Sequence, residues 1–179
     1  MLTGQLPLSI NPRKLAHAET RIAGSILVTD LPRFAEAILD PSGEVALDLQ
    51  FLVDEEGFYV VQGTLSVEVK LTCQRCLQVM RLPLSVTCNL AIVWHEEAAK
   101  AVPAHYDPVI VAEANVALTD LVEDELILAL PIVARHELTE CHFEGNVEAS
   151  DQDGDDNAEA NTPSRENPFQ VLASLKTDT

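Results

Sequence analysis

The sequence predicts an α+β fold: an antiparallel sheet of long strands with flanking helices, then an acidic disordered linker and a short C-terminal amphipathic helix. Three observations predict it. Between residues 44 and 94, apolar and polar side chains alternate with period two over three long segments, the pattern of strands with one wet face. Segments with helical spacing stand before and after these strands instead of alternating with them, which separates α+β from α/β. Residues 144–166 nearly lack large apolar side chains, too few to offset the entropy of ordering the chain. The expected boundaries are therefore 1–143 for the domain, 144–166 for the linker and 167–179 for the helical motif.

Each element has its own signal. The stretch LPLSI near the start predicts an edge strand, and residues 21–29 a weaker strand. Asp30 is placed to cap a helix over LPRFAEAIL, with Pro32 in the first turn and Leu31, Phe34, Ala35 and Ile38 on one face. Val45, Leu47, Leu49, Phe51 and Val53 form the apolar phase of the first long strand, and Asp54-Glu55-Glu56-Gly57 supplies a turn. Tyr59, Val61, Leu65, Val67, Val69, Leu71 and Cys73 share the phase of the second. Leu82, Leu84, Val86, Cys88, Leu90, Ile92 and Trp94 share that of the third. Asp120, with Glu123 three residues on, reads as a capping box opening the helix LVEDELILAL, which Pro131 ends. After the linker, Asn167 can cap a last helix with Pro168 at its first position and Val171, Leu172 and Leu175 on one side.

Global numbers narrow the function. At 179 residues and 47% apolar, the chain can bury one ordinary core with a tail to spare. The start shows no basic segment followed by a long apolar run. The longest later run, residues 126–134, is interrupted by Pro131, so a cytoplasmic protein without a membrane partner is expected. A net charge of −18 opposes unassisted binding to a phosphate backbone and favours basic partners. Residues 144–179 hold nine Asp/Glu against two Lys/Arg, and residues 1–143 hold 20 against nine, so the body is acidic as well as the tail.

The four cysteines, expected to stay reduced in the cytoplasm, separate by position. Cys88 lies in the apolar phase of its strand and reads as a small core residue. Cys73 and Cys76 form a Cys-x-x-Cys knuckle where one long strand gives way to the next, a spacing that supplies two ligands for tetrahedral zinc. Sixty residues later, HELTECH offers His136, Cys141 and His142. Two uses stay open: a Cys3His zinc site of Cys73, Cys76, His136 and Cys141 with His142 as substitute, or unmetallated thiols beside surface histidines, with no cofactor. A thioredoxin-like role is disfavoured, because that motif opens a helix and Cys73 ends a strand.

Recognisable catalytic motifs are missing: there is no Gly-rich phosphate loop, Gly-x-Ser-x-Gly or His-Glu-x-x-His. Glu123, Asp124 and Glu125 fan around one helix, and Glu125, with Leu121, Val122, Leu128 and Ala129 as helical neighbours, is forced toward the apolar side. Such a carboxylate needs a cation or a donor, and Arg75 and Arg135 are the expected counter-charges. His17, His95 and His105 show no partner pattern and are expected to be solvated.

Three motifs in order, CQRCL after an alternating strand, VEDELILALPIV followed by His136 and Cys141, and the terminal NPFQVLASLK, resemble the YceD family of large ribosomal RNA subunit accumulation proteins in its proteobacterial form. The resemblance implies a bacterial, cytoplasmic, non-enzymatic factor for 23S ribosomal RNA accumulation or processing, and hence for large-subunit biogenesis. Some relatives carry a second cysteine pair facing the equivalent of Cys73 and Cys76; here His136, Cys141 and His142 stand in its place.

Two partner classes follow. In one, the acidic body and tail engage basic ribosomal proteins or a basic rRNA-maturation factor. The contacts would be Arg75, Glu123 and Glu125 on the domain and Pro168, Phe169, Val171, Leu172 and Leu175 on the anchoring helix. In the other, pre-ribosomal RNA binds directly to a patch of Lys70, Arg75 and Arg81.

Overall fold

The alternating segments become the centre of a six-stranded sheet in the computed structural model, which describes residues 2–3 and 6–141. Chain order runs β1 (Leu2–Thr3), β2 (Ser9–Ile10), α1 (Pro12–His17), β3 (Arg21–Leu27), a 3-10 turn (Val28–Asp30), α2 (Pro32–Glu36) and β4 (Glu44–Val53). It continues with β5 (Tyr59–Thr72), β6 (Val79–Val93), α3 (Glu96–Ala99), β7 (Asp107–Ile110), β8 (Val116–Ala117) and α4 (Leu118–Ala129). In space the large sheet reads β1-β3-β4-β5-β6-β7. Its four central strands are antiparallel, and the short edges β1 and β7 are parallel to their neighbours. The fold is α+β, as the pattern predicts. His142, the linker 144–166 and the terminal helix 167–179 lie outside the described residues.

Period two decides which face is dry. Val45, Leu47, Leu49 and Phe51 of β4, Val61, Leu65, Val67, Val69 and Leu71 of β5, and Leu84, Cys88, Leu90 and Ile92 of β6 are buried in one cluster. Leu118, Leu121, Val122 and Leu126 of α4 and Phe34 of α2 belong to the same cluster. The opposite face is wet except at one end. There Val60 and Ala91 pack with Tyr106, so the last residues of β6 are buried on both sides.

Gly63 interrupts the apolar phase of β5 for a steric reason. With φ of +158°, its Cα lies so close to β4 that a Cβ would stand 2.0 Å from the Asp48 carbonyl oxygen. Only glycine fits.

Several expectations require correction. The LPLSI strand is only Ser9–Ile10 and pairs with β8 in a separate two-stranded ribbon; Leu2–Thr3 forms the sheet edge instead. The helix after Asp30 is five residues long, starts from Leu31 and has no side-chain cap, while Asp30 falls in the 3-10 turn. The segment after α2 is held by the sheet instead: β4 pairs with β5 only as far as Ser66, and the Leu39 N–H donates to the Lys70 carbonyl further along β5 at 2.9 Å. Helix α4 begins at Leu118, two residues before the expected Asp120 cap, and Glu123 does not reach back to close a capping box.

Candidate metal centre

The β5–β6 hairpin, 14 and 15 residues long, stays paired to its tip at Thr72–Val79 and leaves residues 73–78 as the connecting loop. This loop folds on itself. The Cys73 N–H donates to the Gln78 carbonyl at 2.9 Å, and the Leu77 N–H to the Cys73 carbonyl at 2.9 Å. Leu77 takes a left-handed φ of 60° to close the turn. The chain beyond α4 then crosses the hairpin end, anchored by the Gln74 N–H to the Ala134 carbonyl at 2.8 Å. Pro131 had ended the helix, and the short turn at Glu137–Glu140 brings Cys141 back.

These backbone contacts bring Cys73, Cys76, His136 and Cys141 together, with one ligand atom of each within 4.8 Å of all the others. Cys73 Sγ lies 3.9 Å from Cys141 Sγ, and Cys76 Sγ lies 3.3 Å from His136 Nδ1. Ligand atoms around a tetrahedral zinc, with bonds of about 2.3 Å to sulfur and about 2.0 Å to nitrogen, are separated by about 3.5–3.8 Å. The cluster could therefore hold a metal ion with sub-ångström adjustment. Cys73 is buried and the other three are half-buried.

Electrostatics prepares one thiolate. The backbone N–H of Cys76, helped by those of His136 and Arg75, brings the Cys73 thiol down to about 5 against the opposing effect of burial. The His136 N–H approaches its sulfur at 3.4 Å. Burial, then the Cys76 and Cys73 sulfurs, push Cys141 up instead. Cys88 lies apart in the core, where burial and then the Glu125 charge push it up to about 12, as expected of an inert core thiol.

The acidic helix α4 works differently from the sequence reading. The fully buried carboxylate is Glu123, 2% exposed, with Arg33 as its counter-charge, while neither Arg75 nor Arg135 pairs with Glu125 among the described residues. Glu123 Oε1 accepts the Arg33 and Phe34 N–H groups at 2.7 and 3.2 Å, and Oε2 accepts Arg33 Nε at 3.0 Å. Arg33 Nη1 also reaches Asp124 at 2.8 Å. Glu125 is half-buried with no ion-pair partner among the described residues; burial, then Asp107 and Asp124, push its carboxyl up. Spacing along α4 located the acidic run but could not show that α2, ninety residues earlier, presents an arginine and two free N–H groups to it.

The expected basic patch is largely neutralised. Lys70 pairs with Asp40 at 2.6 Å and Arg81 with Glu68 at 3.4 Å, leaving Arg75 without a carboxylate among the described residues. Two histidines have partners after all: His17 Nε2 meets the Tyr59 hydroxyl at 3.1 Å, and His95 Nδ1 accepts the Ala98 N–H to cap α3. The sequence reading also missed α1. Its signal was present in Asn11-Pro12, where the Asn11 side chain accepts the Lys14 N–H and proline occupies the first turn. Pro168, Phe169, Val171, Leu172 and Leu175 lie outside the described residues.

Fold and site together define a class: an α+β domain built on a long antiparallel meander, in which the hairpin tip and the segment after α4 bring three cysteines and a histidine together. The family model described as large ribosomal RNA subunit accumulation protein YceD matches residues 61–176, from within β5 through the whole cysteine–histidine cluster. A protein of that name from Haemophilus influenzae is 31% identical over 173 residues, spanning 96% of this chain and 97% of the relative. The chain belongs to the YceD family. No solved structure matches it significantly.

Proposed function

We propose that this chain is a non-enzymatic bacterial factor of the cytoplasm that supports 23S ribosomal RNA accumulation and large-subunit biogenesis by binding basic ribosomal or rRNA-maturation proteins. The family supplies the process, and the charge arrangement supports the partner class. The carrying observation is that Arg21, Arg33, Lys70, Arg81 and Lys100 are each taken up by a carboxylate, in a chain of net charge −18. What remains outward is an excess of unpaired carboxylates, which attracts cationic protein surfaces and repels phosphate tracts. Exposed Leu77, Ile132 and Leu138, in the two segments that carry the cysteine–histidine cluster, add apolar contact points of the kind protein partners use. RNA binding through Lys70, Arg75 and Arg81 is disfavoured, since two of the three are already paired.

Affinity capture from bacterial lysate tests this reading. Basic large-subunit proteins are expected to be retained after nuclease treatment and released as salt shortens the Debye length below about 8 Å. Loss of all capture on nuclease treatment would move direct RNA binding ahead of it.

In the same reading, Cys73, Cys76, His136 and Cys141 bind one structural zinc ion that fastens residues 134–141 to the hairpin tip. The thiolate-prone Cys73 and the tetrahedral spacing support this assignment. Purified protein is expected to carry near-stoichiometric zinc by elemental analysis, falling sharply in Cys73→Ser but not in Cys88→Ser. Zinc-free protein of unchanged stability would refute the assignment.

A further inference from the structure

Arg13 differs from the ion-paired arginines in what holds it. Arg21, Arg33 and Arg81 are each bound by a carboxylate. Arg13, on α1, instead lies over two aromatic rings, its guanidinium carbon 4.3 Å from the Trp94 centroid and 5.4 Å from that of Tyr59. The rings brace one another edge to face at 5.4 Å and 85°, and His17 fixes the Tyr59 hydroxyl. A cation held by π-faces is oriented but not neutralised. Lys14, the next residue, is exposed and likewise has no carboxylate partner among the described residues.

A cavity of about 260 Å³ opens beside this group. Trp94 and the buried Ile92 and Val111 give it an apolar lining, and Asn11 and Glu113 in the same lining offer polar groups. An apolar, partly aromatic lining, a pair of unneutralised cations and a nearby carboxylate match the parts of one ligand class. A nucleobase entering the cavity would stack on the outer face of the Arg13 guanidinium, whose inner face lies over Trp94. Its amino edge has an acceptor in Glu113, and its phosphate has Arg13 and Lys14.

We propose that this pocket binds one nucleotide unit of single-stranded RNA. That the nucleotide comes from ribosomal RNA rests on the function proposed above; that the pocket takes a nucleotide does not. The acidic remainder of the surface makes the contact local. A duplex would bring further phosphates against carboxylates and hide the bases from the Arg13 guanidinium, so duplex RNA is rejected.

The chain carries one tryptophan, so its emission reports on this cavity alone. The intact protein is titrated at low salt with a single-stranded hexanucleotide, with the same sequence as a duplex, and with adenosine monophosphate. Saturable quenching by the single strand, and not by the duplex, is expected. With two cations facing phosphate, log K is expected to fall against log salt with a slope of about −1.4, and Lys14→Ala to make it shallower by about 0.7. Arg13→Ala is expected to weaken binding at least about tenfold, the scale of losing a stacking and phosphate partner. Because Lys14 is exposed, its variant reads the site even if Arg13→Ala unfolds. Quenching by the monophosphate but not the hexamer supports the nucleotide pocket and assigns it a free nucleotide, overturning RNA as the source. No quenching by any ligand, equal quenching by duplex, or full affinity in both variants overturns the proposal. Such a result leaves nuclease-resistant protein capture untouched, just as failed capture leaves the quenching assay untouched.

Discussion

Replacing Glu123 by alanine should destabilise the domain far more than its rank as one of 29 acidic residues implies. The carboxylate is 2% exposed and accepts from the Arg33 and Phe34 N–H groups as well as from Arg33 Nε. Truncation leaves two backbone donors at the start of α2 without an acceptor, each worth about 1–3 kcal/mol when desolvated. Lost packing of the side-chain stem adds about 1 kcal/mol, and relief of the buried charge offsets part of this. The net expectation is about 3 kcal/mol, which lowers Tm by about 10 °C in a domain of this size. Urea unfolding and calorimetry measure it. Arg33→Ala should cost less, because that side chain is half exposed and its loss leaves the two N–H bonds to Glu123 in place. Glu123→Gln, which keeps an acceptor for the N–H groups, should fall between wild type and Glu123→Ala. If Glu123→Ala loses less than about 0.5 kcal/mol, or Arg33→Ala loses as much, the backbone donors are not what the carboxylate serves.

Gly63→Ala should destabilise by about 3 kcal/mol or more in denaturant titration, since its Cβ would stand 2.0 Å from the Asp48 carbonyl oxygen, a main-chain atom that cannot rotate away. Glu125 titrates upward in the folded protein, so its contribution is fully present below the ordinary carboxylate value and is lost as pH rises through the folded value. Glu125→Gln should therefore raise stability at pH 7 and leave it unchanged near pH 3, as read by urea midpoints at both. Deleting residues 167–179 should leave thermal unfolding of the domain unchanged while abolishing support of large-subunit accumulation, measured as the ratio of the two large ribosomal RNAs in a complemented deletion strain.

Strands were legible where one face is buried along their whole length, because period two leaves a trace in every second residue: β4, β5 and β6 lie where the alternation puts them. Short elements held by a neighbour left no such trace. The two residues of β8 owe their pairing to β2, and the four of β7 take their direction from β6. The cysteine–histidine cluster was legible as a grouping because Cys-x-x-Cys at a hairpin and a His-and-Cys segment after a Pro-terminated helix are local patterns, and the structure brings all four named side chains together. Glu125 is half-buried against apolar side chains, as its helical neighbours place it, but the fully buried carboxylate of the run is Glu123, which spacing did not single out. Full burial of a charge follows its donors, and those came from α2 to Glu123, a contact ninety residues away in sequence. Arg13 was unreadable for the same reason, since its rings are contributed by β5 and the residue just past β6.

The cysteine–histidine cluster also sets an order of events for a chain emerging from its N-terminus. Cys76 and His136 are sixty residues apart in sequence, and β6, β7 and α4 lie between them. The hairpin tip can close locally and early, yet it presents two sulfurs that wait for the rest of the domain. An ion held by all four side chains could be captured only by a chain in which α4 has already formed against the sheet. Retention of that ion in a pulse-labelled population would thus count finished molecules, and a protease added during synthesis would find residues 130–141 the last part of the domain to become resistant.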